Sequence, residues 1–423
     1  MLLVEKFKNS LEEAATRLEI RNKDFRELLK KAAEADEERK KLKTKYDQTA
    51  AESNKNAKLI GELYKSGKAQ EAGEIKQKAG ELKARLKEIA DELNKTESNL
   101  QQILLDIPNI PNKLVPAGNT DADNQLIREG GQIPELKEAV PHWELAQKFD
   151  IIDFEAGNKI SGAGFPVFKG QGAKLQRALI NFFLAEAETG GYTEYVPPLM
   201  VNEASGLGTG QLPDKEGQMY EIKNDKLYMI PTAEVPLTNL YRDSIIPEEE
   251  LPVKLCGYSA CFRREAGSYG KDVRGLNRLH QFDKVEIVQI TKPEASYAAL
   301  DEMVKRIEQL IKKLELPYRI VRLCGGDLGF TAALTYDFEV WAAGQQRWLE
   351  VSSVSNFEDF QSNRLKMRYK DQADKTNKIP HTLNGSALAL PRIIAALLEN
   401  NYAKDEIHIP KALQAFTNFK SIK

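Results

Sequence analysis

The sequence predicts an α+β fold: a long antiparallel two-helix arm, then a globular domain in which strands and helices alternate. Three observations carry that prediction. The first 105 residues hold no proline and space their apolar residues by alternating fours and threes. The stretch IPNIPN at residues 107–112 cannot continue a helix. Beyond it, segments of helical and strand periodicity follow one another around a Gly-rich, basic hairpin at residues 260–290.

At 423 residues, 41% of them hydrophobic, the chain is long enough for about three domains and at least one large core. Its net charge is only -2, so a nucleic-acid partner would have to be held by local basic patches. Cys256, Cys261 and Cys324 lack CxxC spacing and only four histidines are present, which argues against a zinc site or disulfide framework and for a reducing compartment. The opening MLLV meets Glu5 and Lys6 at once, unlike a secretory leader, and Glu12 and Glu13 do not suit a transit peptide. No apolar run approaches the roughly 18 residues of a membrane span. A soluble, cytoplasmic protein without a membrane partner is the expectation.

Residues 1–105 form the expected N-terminal domain. Ile75, Ala79, Leu82, Leu86, Ile89, Leu93, Leu100 and Ile103, with Thr96 in frame, make a heptad seam. Phe25, Leu28, Ala32, Ala35, Leu42 and Tyr46 make a weaker one, and the pattern lapses around Gly61, Gly67 and Gly73. Two such helices fold back as a coiled-coil hairpin, about 60 Å long if each has roughly 40 residues. Lys43, Lys45, Lys55, Lys58, Lys65, Lys68 and Lys76 suit a phosphate backbone. Interleaved with Glu52, Glu62, Glu71 and Glu74, they suit a solvated coiled-coil face equally well.

Residues 106–135 read as a linker, with a Gly-, Asn- and Asp-rich loop at 118–124, and residues 136–423 as the globular domain. Residues 171–187 are an amphipathic helix, followed by a strand at 192–196 that Pro197-Pro198 stops. A hairpin at 221–230 delivers Thr232, Ala233 and Glu234. A hydroxyl and a carboxylate two residues apart suit a small ammonium ligand, or an N-cap for a helix at 235–241. Residues 294–314 have helical spacing, and 318–323 and 347–353 read as strands. In the last, Glu350 and Ser352 share a face, a carboxylate and a hydroxyl that suit Mg²⁺ when phosphates supply its other ligands. A strand at 384–390 enters a helix at 392–400 through Pro391. Arg392 there opposes the helix dipole by about 0.3–1 kcal/mol. A docked anion, a nucleotide phosphate being the natural candidate, would reverse the sign; a neighbouring carboxylate could also take the arginine.

The hairpin enters along residues 261–265, passes Gly267, Gly270, Lys271, Arg274, Gly275 and Arg278, and returns along 281–290. Alternation puts Arg263 with Glu265 on one face, and Phe282 with Lys284 and Glu286 on one face. Phe282 and Glu286 then stand roughly 13 Å apart, room for an aromatic base at one end and a small charged group at the other.

Residues 191–198, 261–286 and 385–392 resemble motifs 1, 2 and 3 of the class II aminoacyl-tRNA synthetases. IPNIPNKLVP at 107–116, GTGQLP at 208–213, PTAEVPL at 231–237, FRREAGSYGKDVRGL at 262–276, HQFDKVE at 280–286, SSVSNFEDFQ at 352–361 and HTLNGSALA at 381–389 resemble the bacterial-type seryl-tRNA synthetases, over essentially the whole chain. The resemblance implies a mixed, largely antiparallel class II β-sheet domain flanked by helices behind a tRNA-binding coiled-coil arm. It implies a homodimer formed through motif 1, ATP and L-serine as substrates, Mg²⁺ with the ATP, and tRNA(Ser) as acceptor, with tRNA(Sec) a second candidate.

Residue by residue, the resemblance gives catalytic roles to Arg263, Glu286 and Arg392. Arg263 would contact the α-phosphate and the serine carboxylate, and Arg392 the γ-phosphate. Arg264 falls in the ATP site, Glu265 would face the adenine amino group, and Phe282 would stack on the base. Thr232, Ala233 and Glu234 would line the serine pocket, Glu286 would hold the ammonium and hydroxyl, and Ser386 and Asn384 would lie close by. Glu350 and Ser353 would be the Mg²⁺ ligands, with Val351 and Ser352 between them in the ATP site. Strand parity places Ser353 opposite Glu350, so a shared role requires a bulge. After DFQ the chain has Ser362-Asn363-Arg364, where the family has paired basic residues. Two other functions are compatible with parts of the pattern: a synthetase-like paralogue that loads a non-tRNA acceptor and lacks the long arm, and a non-enzymatic coiled-coil RNA-binding protein.

Overall fold

The heptad seams become two long helices, α1 (Arg26–Lys65) and α2 (Ala69–Leu105), in a computed structural model that describes residues 1–136, 138–266 and 274–423. Gly267, Gly270 and Lys271 lie outside the described residues. The chain separates into two compact units, Met1–Glu19 with Lys23–Pro108, and Ile20–Asn22 with Asn109–Lys423.

In the first unit, Gly67 takes the left-handed conformation (φ +75°) that reverses the chain between α1 and α2. The α2 seam is buried or half-buried at every position read from the sequence. On α1 the buried line runs through Leu29, Ala32, Asp36 and Leu42, whereas Leu28 and Ala35 are only half-buried. A charged seam residue disguises the frame. Asp36 is tolerated there because Arg39 reaches its carboxylate at 2.7 Å and Lys40 at 2.5 Å. Farther out, buried Thr49 returns its hydroxyl to Lys45 O at 2.7 Å. Gly61 does not interrupt α1, since the site it faces is open.

The second unit is built on an eight-stranded sheet: β1 (Gln125–Gly130), β2 (Thr193–Glu194), β3 (Val253–Phe262), β4 (Gln281–Thr291), β5 (Tyr318–Arg322), β6 (Leu334–Ala342), β7 (Arg347–Glu358) and β8 (His381–Ala389). Their spatial order is β1-β5-β6-β7-β8-β4-β3-β2, and every pairing is antiparallel except β2 with β3. Residues 125–130, read as linker from the sequence, are thus the strand on one edge. Its side chains are mostly exposed, so no alternation marks it.

Period-2 patterning on β4 divides the two faces of the sheet. Val285 and Ile287 join the large core with Leu300, Met303 and Ile307 of α4 (Ser296–Lys313) and Ile393 and Leu397 of α5 (Leu390–Asn400). Phe282, Lys284 and Glu286 point the other way. Farther along that side Val288 and Ile290 pack with Ala233, Leu237 and Leu255, giving the polar residues an apolar floor. No helix among the described residues is long and apolar enough to cross a membrane.

Candidate active site

Glu286 lies mid-sheet, 1% exposed, opposite Gly257 of β3 and Ser386 of β8. A carboxylate this deep requires partners. Lys284 Nζ stands 2.6 Å from Oε2, Thr232 Oγ1 donates to Oε2 at 3.1 Å, and Asn384 Nδ2 donates to Oε1 at 3.3 Å. The same Asn384 amide donates to Glu234 Oε2 at 2.8 Å, and Gln361 Nε2 donates to Glu234 Oε1 at 2.6 Å. Two buried carboxylates therefore share one asparagine. Burial, and then the charge of Glu286, push the Glu234 carboxyl up to about 7. A small ammonium group is the ligand that would relieve both.

The Thr232 hydroxyl has two partners, although the N-cap of the helix that follows is Ala233, without a side-chain capping bond. Its oxygen accepts from Glu234 N at 3.2 Å, at the start of the short helix α3 (Glu234–Asn239), while its hydrogen goes to Glu286. Ala233 is fully buried in the apolar floor and contributes no polar group. Ser386 is buried, and its carbonyl accepts from Ser352 Oγ at 2.6 Å.

At the open end of the hairpin, β3 stops at Phe262, three residues before the expected strand end. Arg263 N still reaches His280 O at 2.9 Å, but Arg264 N turns to Gln218 O at 2.8 Å and Glu265 adopts φ +47°. The shared face read for Arg263 and Glu265 is therefore lost. The Arg263 guanidinium instead lies 5.2 Å from the centroid of the Phe282 ring, and its Nε donates to Pro231 O at 3.4 Å. Glu265 is bridged at 3.0 Å by Arg278 from the returning limb. Phe282 is half-buried and Arg264 is exposed.

The bulge that parity demands is present in β7. Phe338 pairs with Ser352, but the next residue, Glu339, pairs with Glu350, leaving Val351 unpaired. Val351 is 1% exposed in the core, so only its backbone can face a nucleotide. The bulge removes Ser352 from the face of Glu350, where the unbroken strand would have put it. Ser353 instead hydrogen-bonds Asp337, a residue not singled out in the sequence. Burial, and then Glu350, hold the Asp337 carboxyl well above the usual carboxylate range, and its Oδ1 is buried without a hydrogen-bond partner among the described residues. Arg392, in the first turn of α5, donates Nη1 to Glu350 O at 2.8 Å and Nε to Asn277 O at 3.0 Å. Its Nη1 also lies 3.7 Å from Glu350 Oε2, the carboxylate partner that its position allowed.

Oxygen groups of the kind Mg²⁺ takes are neighbours here: the half-exposed Glu350 carboxylate, the Ser353 hydroxyl and an Asp337 oxygen without a hydrogen-bond partner among the described residues. Among the described residues, no group of three or more His, Cys, Asp or Glu side chains forms an all-protein metal cage. A cation at this place would thus share its shell with phosphate.

Asp337 and Gln361 gave no sequence signal that separates them from structural residues. Gln361 ties Glu234 to the sheet, since its Oε1 accepts from Thr382 Oγ1 at 2.7 Å while Nε2 also donates to Thr209 O at 3.1 Å. It follows DF in a motif matched above, which was its only available mark. Of the Ser362-Asn363-Arg364 segment, Arg364 turns inward, donating Nη1 to Leu207 O at 3.1 Å and Leu212 O at 3.2 Å.

Residues 219–401 match the tRNA synthetase class II core domain (G, H, P, S and T), and residues 1–111 the seryl-tRNA synthetase N-terminal domain. A serine–tRNA ligase of Salinibacter ruber is 49% identical over 92% of this chain and 91% of its own. One from Methylacidiphilum infernorum is 45% identical over 98% and 99%. Among solved structures, the seryl-tRNA synthetase of Pyrococcus horikoshii complexed with ATP is 33% identical, with a TM-score of 0.89 over 100% of this chain and 99% of that one. With the buried Glu286–Thr232–Asn384 constellation on an antiparallel sheet and these relatives spanning nearly its full length, the chain belongs to the seryl-tRNA synthetase family of class II aminoacyl-tRNA ligases.

Proposed function

We propose that this chain activates L-serine with ATP to seryl-adenylate and passes the serine to the 3′ end of tRNA(Ser). The supporting observation is the paired buried carboxylates Glu286 and Glu234, bridged by Asn384, with Glu286 in the middle of β4 and Phe282 near the start of the same strand. The serine ammonium and hydroxyl would sit against Glu286, Thr232 and Glu234, with Asn384 and Ser386 beside them. The adenine would stack on Phe282 with its amino group toward Glu265, and the triphosphate would run from Arg263 to Arg392.

The serine carboxylate oxygen attacks the α-phosphorus, the bond to the bridging oxygen breaks, and pyrophosphate leaves with the electron pair. No side-chain nucleophile is required, so catalysis is positioning and charge neutralisation. Arg263 would balance charge developing at the α-phosphate. Arg392 would receive the γ-phosphate, which turns an unfavourable cation at a helix N-terminus into a favourable anion site. Glu350 and Ser353, backed by Asp337, would hold Mg²⁺, which when bound would neutralise phosphate charge. A ribose hydroxyl of the tRNA terminus then attacks the acyl carbon and AMP departs.

Serine-dependent exchange of pyrophosphate into ATP tests the pocket. A site that pairs the serine hydroxyl is expected to prefer serine over alanine by roughly 10⁴ in kcat/KM, because alanine leaves buried polar groups unmatched. Equal exchange with alanine would contradict the pocket. The raised Glu234 carboxyl adds a pH dependence. Below about 7 it is protonated and neutral, and above about 7 it is ionised and attracts the ammonium. The serine KM is therefore expected to rise as pH falls through 7, and Glu234→Gln should flatten that rise. An identical profile in wild type and variant would remove Glu234 from ammonium binding.

The motif 1 region supports a homodimer. Val196 is 90% exposed, and Leu199, Met200, Leu240 and Ile245 are exposed as well. Sedimentation is expected to give twice the 47.6 kDa chain mass, and Val196→Asp to shift the protein toward the single mass. A monomeric wild type at micromolar concentration would refute this. The lysine-bearing arm would track tRNA, with tRNA(Ser) as acceptor and tRNA(Sec) as a second one to be tried in the same charging assay. A cytoplasmic location accords with this role.

A further inference from the structure

Glu399 lies seven residues after Arg392 on α5, fully buried, and no lysine or arginine pairs with it among the described residues. It is saturated by hydrogen-bond donors. Oε1 accepts from His142 N at 3.0 Å, His142 Nδ1 at 2.7 Å and Gln345 Nε2 at 2.9 Å, and Oε2 accepts from Gly344 N at 2.9 Å and Gln345 N at 3.1 Å. Such an arrangement fixes the imidazole in place. The other ring nitrogen of His142, Nε2, accepts from Leu276 N at 2.8 Å. A nitrogen that accepts from N–H carries no proton, so the ring is the neutral tautomer with its proton on Nδ1.

Leu276 belongs to the returning limb of the motif 2 hairpin, and its neighbours are held by the same group. Gly275 has φ +66°, and a Cβ there would stand 2.2 Å from His142 Nε2. Asn277 donates Nδ2 to Gln345 Oε1 at 2.9 Å, and its carbonyl receives Arg392 Nε. A connected path therefore runs from Glu399 through His142 and Gln345 to residues 275–277, and from Asn277 O back to the guanidinium at the other end of α5.

We propose that His142, anchored by Glu399, is a positioning residue for ATP binding: it fixes the 275–277 limb, and through the Asn277 carbonyl it sets the orientation in which Arg392 presents its remaining donors to the nucleotide phosphate. This rests on the reading of Arg392 as a phosphate ligand. Asn277 O takes Nε and Glu350 O takes Nη1, and among the described residues Nη2 makes no hydrogen bond, so it is the donor that would remain for a phosphate. If the limb shifts, the arginine loses that aim while the serine pocket on β4 and β8 keeps all its contacts.

The full-length chain in the pyrophosphate-exchange assay tests this, with ATP and serine varied separately. His142→Asn retains a donor toward Glu399 but leaves Leu276 N–H unmatched. It is expected to raise the ATP KM about tenfold and leave the serine KM within twofold. His142→Gln, whose side-chain oxygen can reach Leu276 N–H, is expected to restore most of the loss. Gln345→Ala, at a half-buried position, is expected to raise the ATP KM several-fold and gives the same readout if His142→Asn folds poorly. Arg392→Ala is the control. If it raises the ATP KM while His142→Asn and Gln345→Ala do not, the positioning role is overturned and the phosphate role stands. If Arg392→Ala leaves the ATP KM unchanged, the phosphate reading fails and the inference with it. Equal increases in both KM values would assign His142 a general structural role and overturn the proposal.

Discussion

Removing residues 43–91, equal lengths on either side of the turn at Gly67, and closing the gap with a short Gly-containing turn is expected to leave serine-dependent exchange within about threefold of wild type. Charging of tRNA should fall by roughly 10²–10³, the order expected when several phosphate contacts are lost. All seven lysines singled out on the arm are exposed. Lys43 and Lys68 are engaged at 3.0 and 3.1 Å by Asp47 and Glu71, whereas Lys45, Lys55, Lys58, Lys65 and Lys76 form no ion pair among the described residues. Those five would be available to a phosphate backbone. The salt dependence of charging should weaken in the shortened protein for the same reason. If charging is unaffected, the lysines only solvate a coiled coil.

Glu286→Gln is expected to lower kcat/KM for serine by about 10³ while changing the ATP KM little. Two losses combine. The serine ammonium loses its buried counter-charge, and Lys284, 7% exposed in its side chain, is left without the carboxylate 2.6 Å away. Truncating one partner of a buried charge pair costs about 2–5 kcal/mol, which spans the expected factor. A loss below tenfold would mean that Glu286 organises the sheet and does not bind serine. Thermal melting of the variant separates destabilisation from loss of binding.

The parts of this molecule that were legible in its sequence are those where one physical rule acts alone. The α2 seam could be read because its buried positions are nearly all apolar. On the α1 side Phe25, Ala32 and Leu42 are buried as read, but Leu28 and Ala35 give way to their neighbours Leu29 and Asp36, the latter a seam residue, neutralised by Arg39 and Lys40, that hydrophobicity alone rejects. The alternation of β4 gave the correct faces for Phe282, Lys284 and Glu286, since β4 pairs with β3 in unbroken register from Gln281 to Ile290, although its register with β8 shifts between Lys284 and Glu286. Its partner β3 ends early: Glu265 enters the left-handed region, a choice made by tertiary bonds from Arg264 N and to Arg278.

Buried polar partners were the least legible. Asp337 looks like an ordinary strand residue until the β7 bulge turns Ser353 toward it. That bulge could be deduced only by combining strand parity with the expected pairing of Glu350 and Ser353. Gln361 and Glu399 act through contacts 127 and 257 residues away in the chain, and nothing local reports such a separation. The edge strand β1 escaped for the opposite reason, since its exposed side chains leave no pattern.

The central claim is that this fold joins a serine-selective adenylating site to a tRNA-binding arm. Aminoacylation of unfractionated tRNA with each of the twenty amino acids in turn, in the presence of ATP and Mg²⁺, tests it most directly. Serine alone should be incorporated, and only into tRNA that accepts serine. Incorporation of another amino acid, or adenylate formation with serine but no transfer to any tRNA, would contradict it.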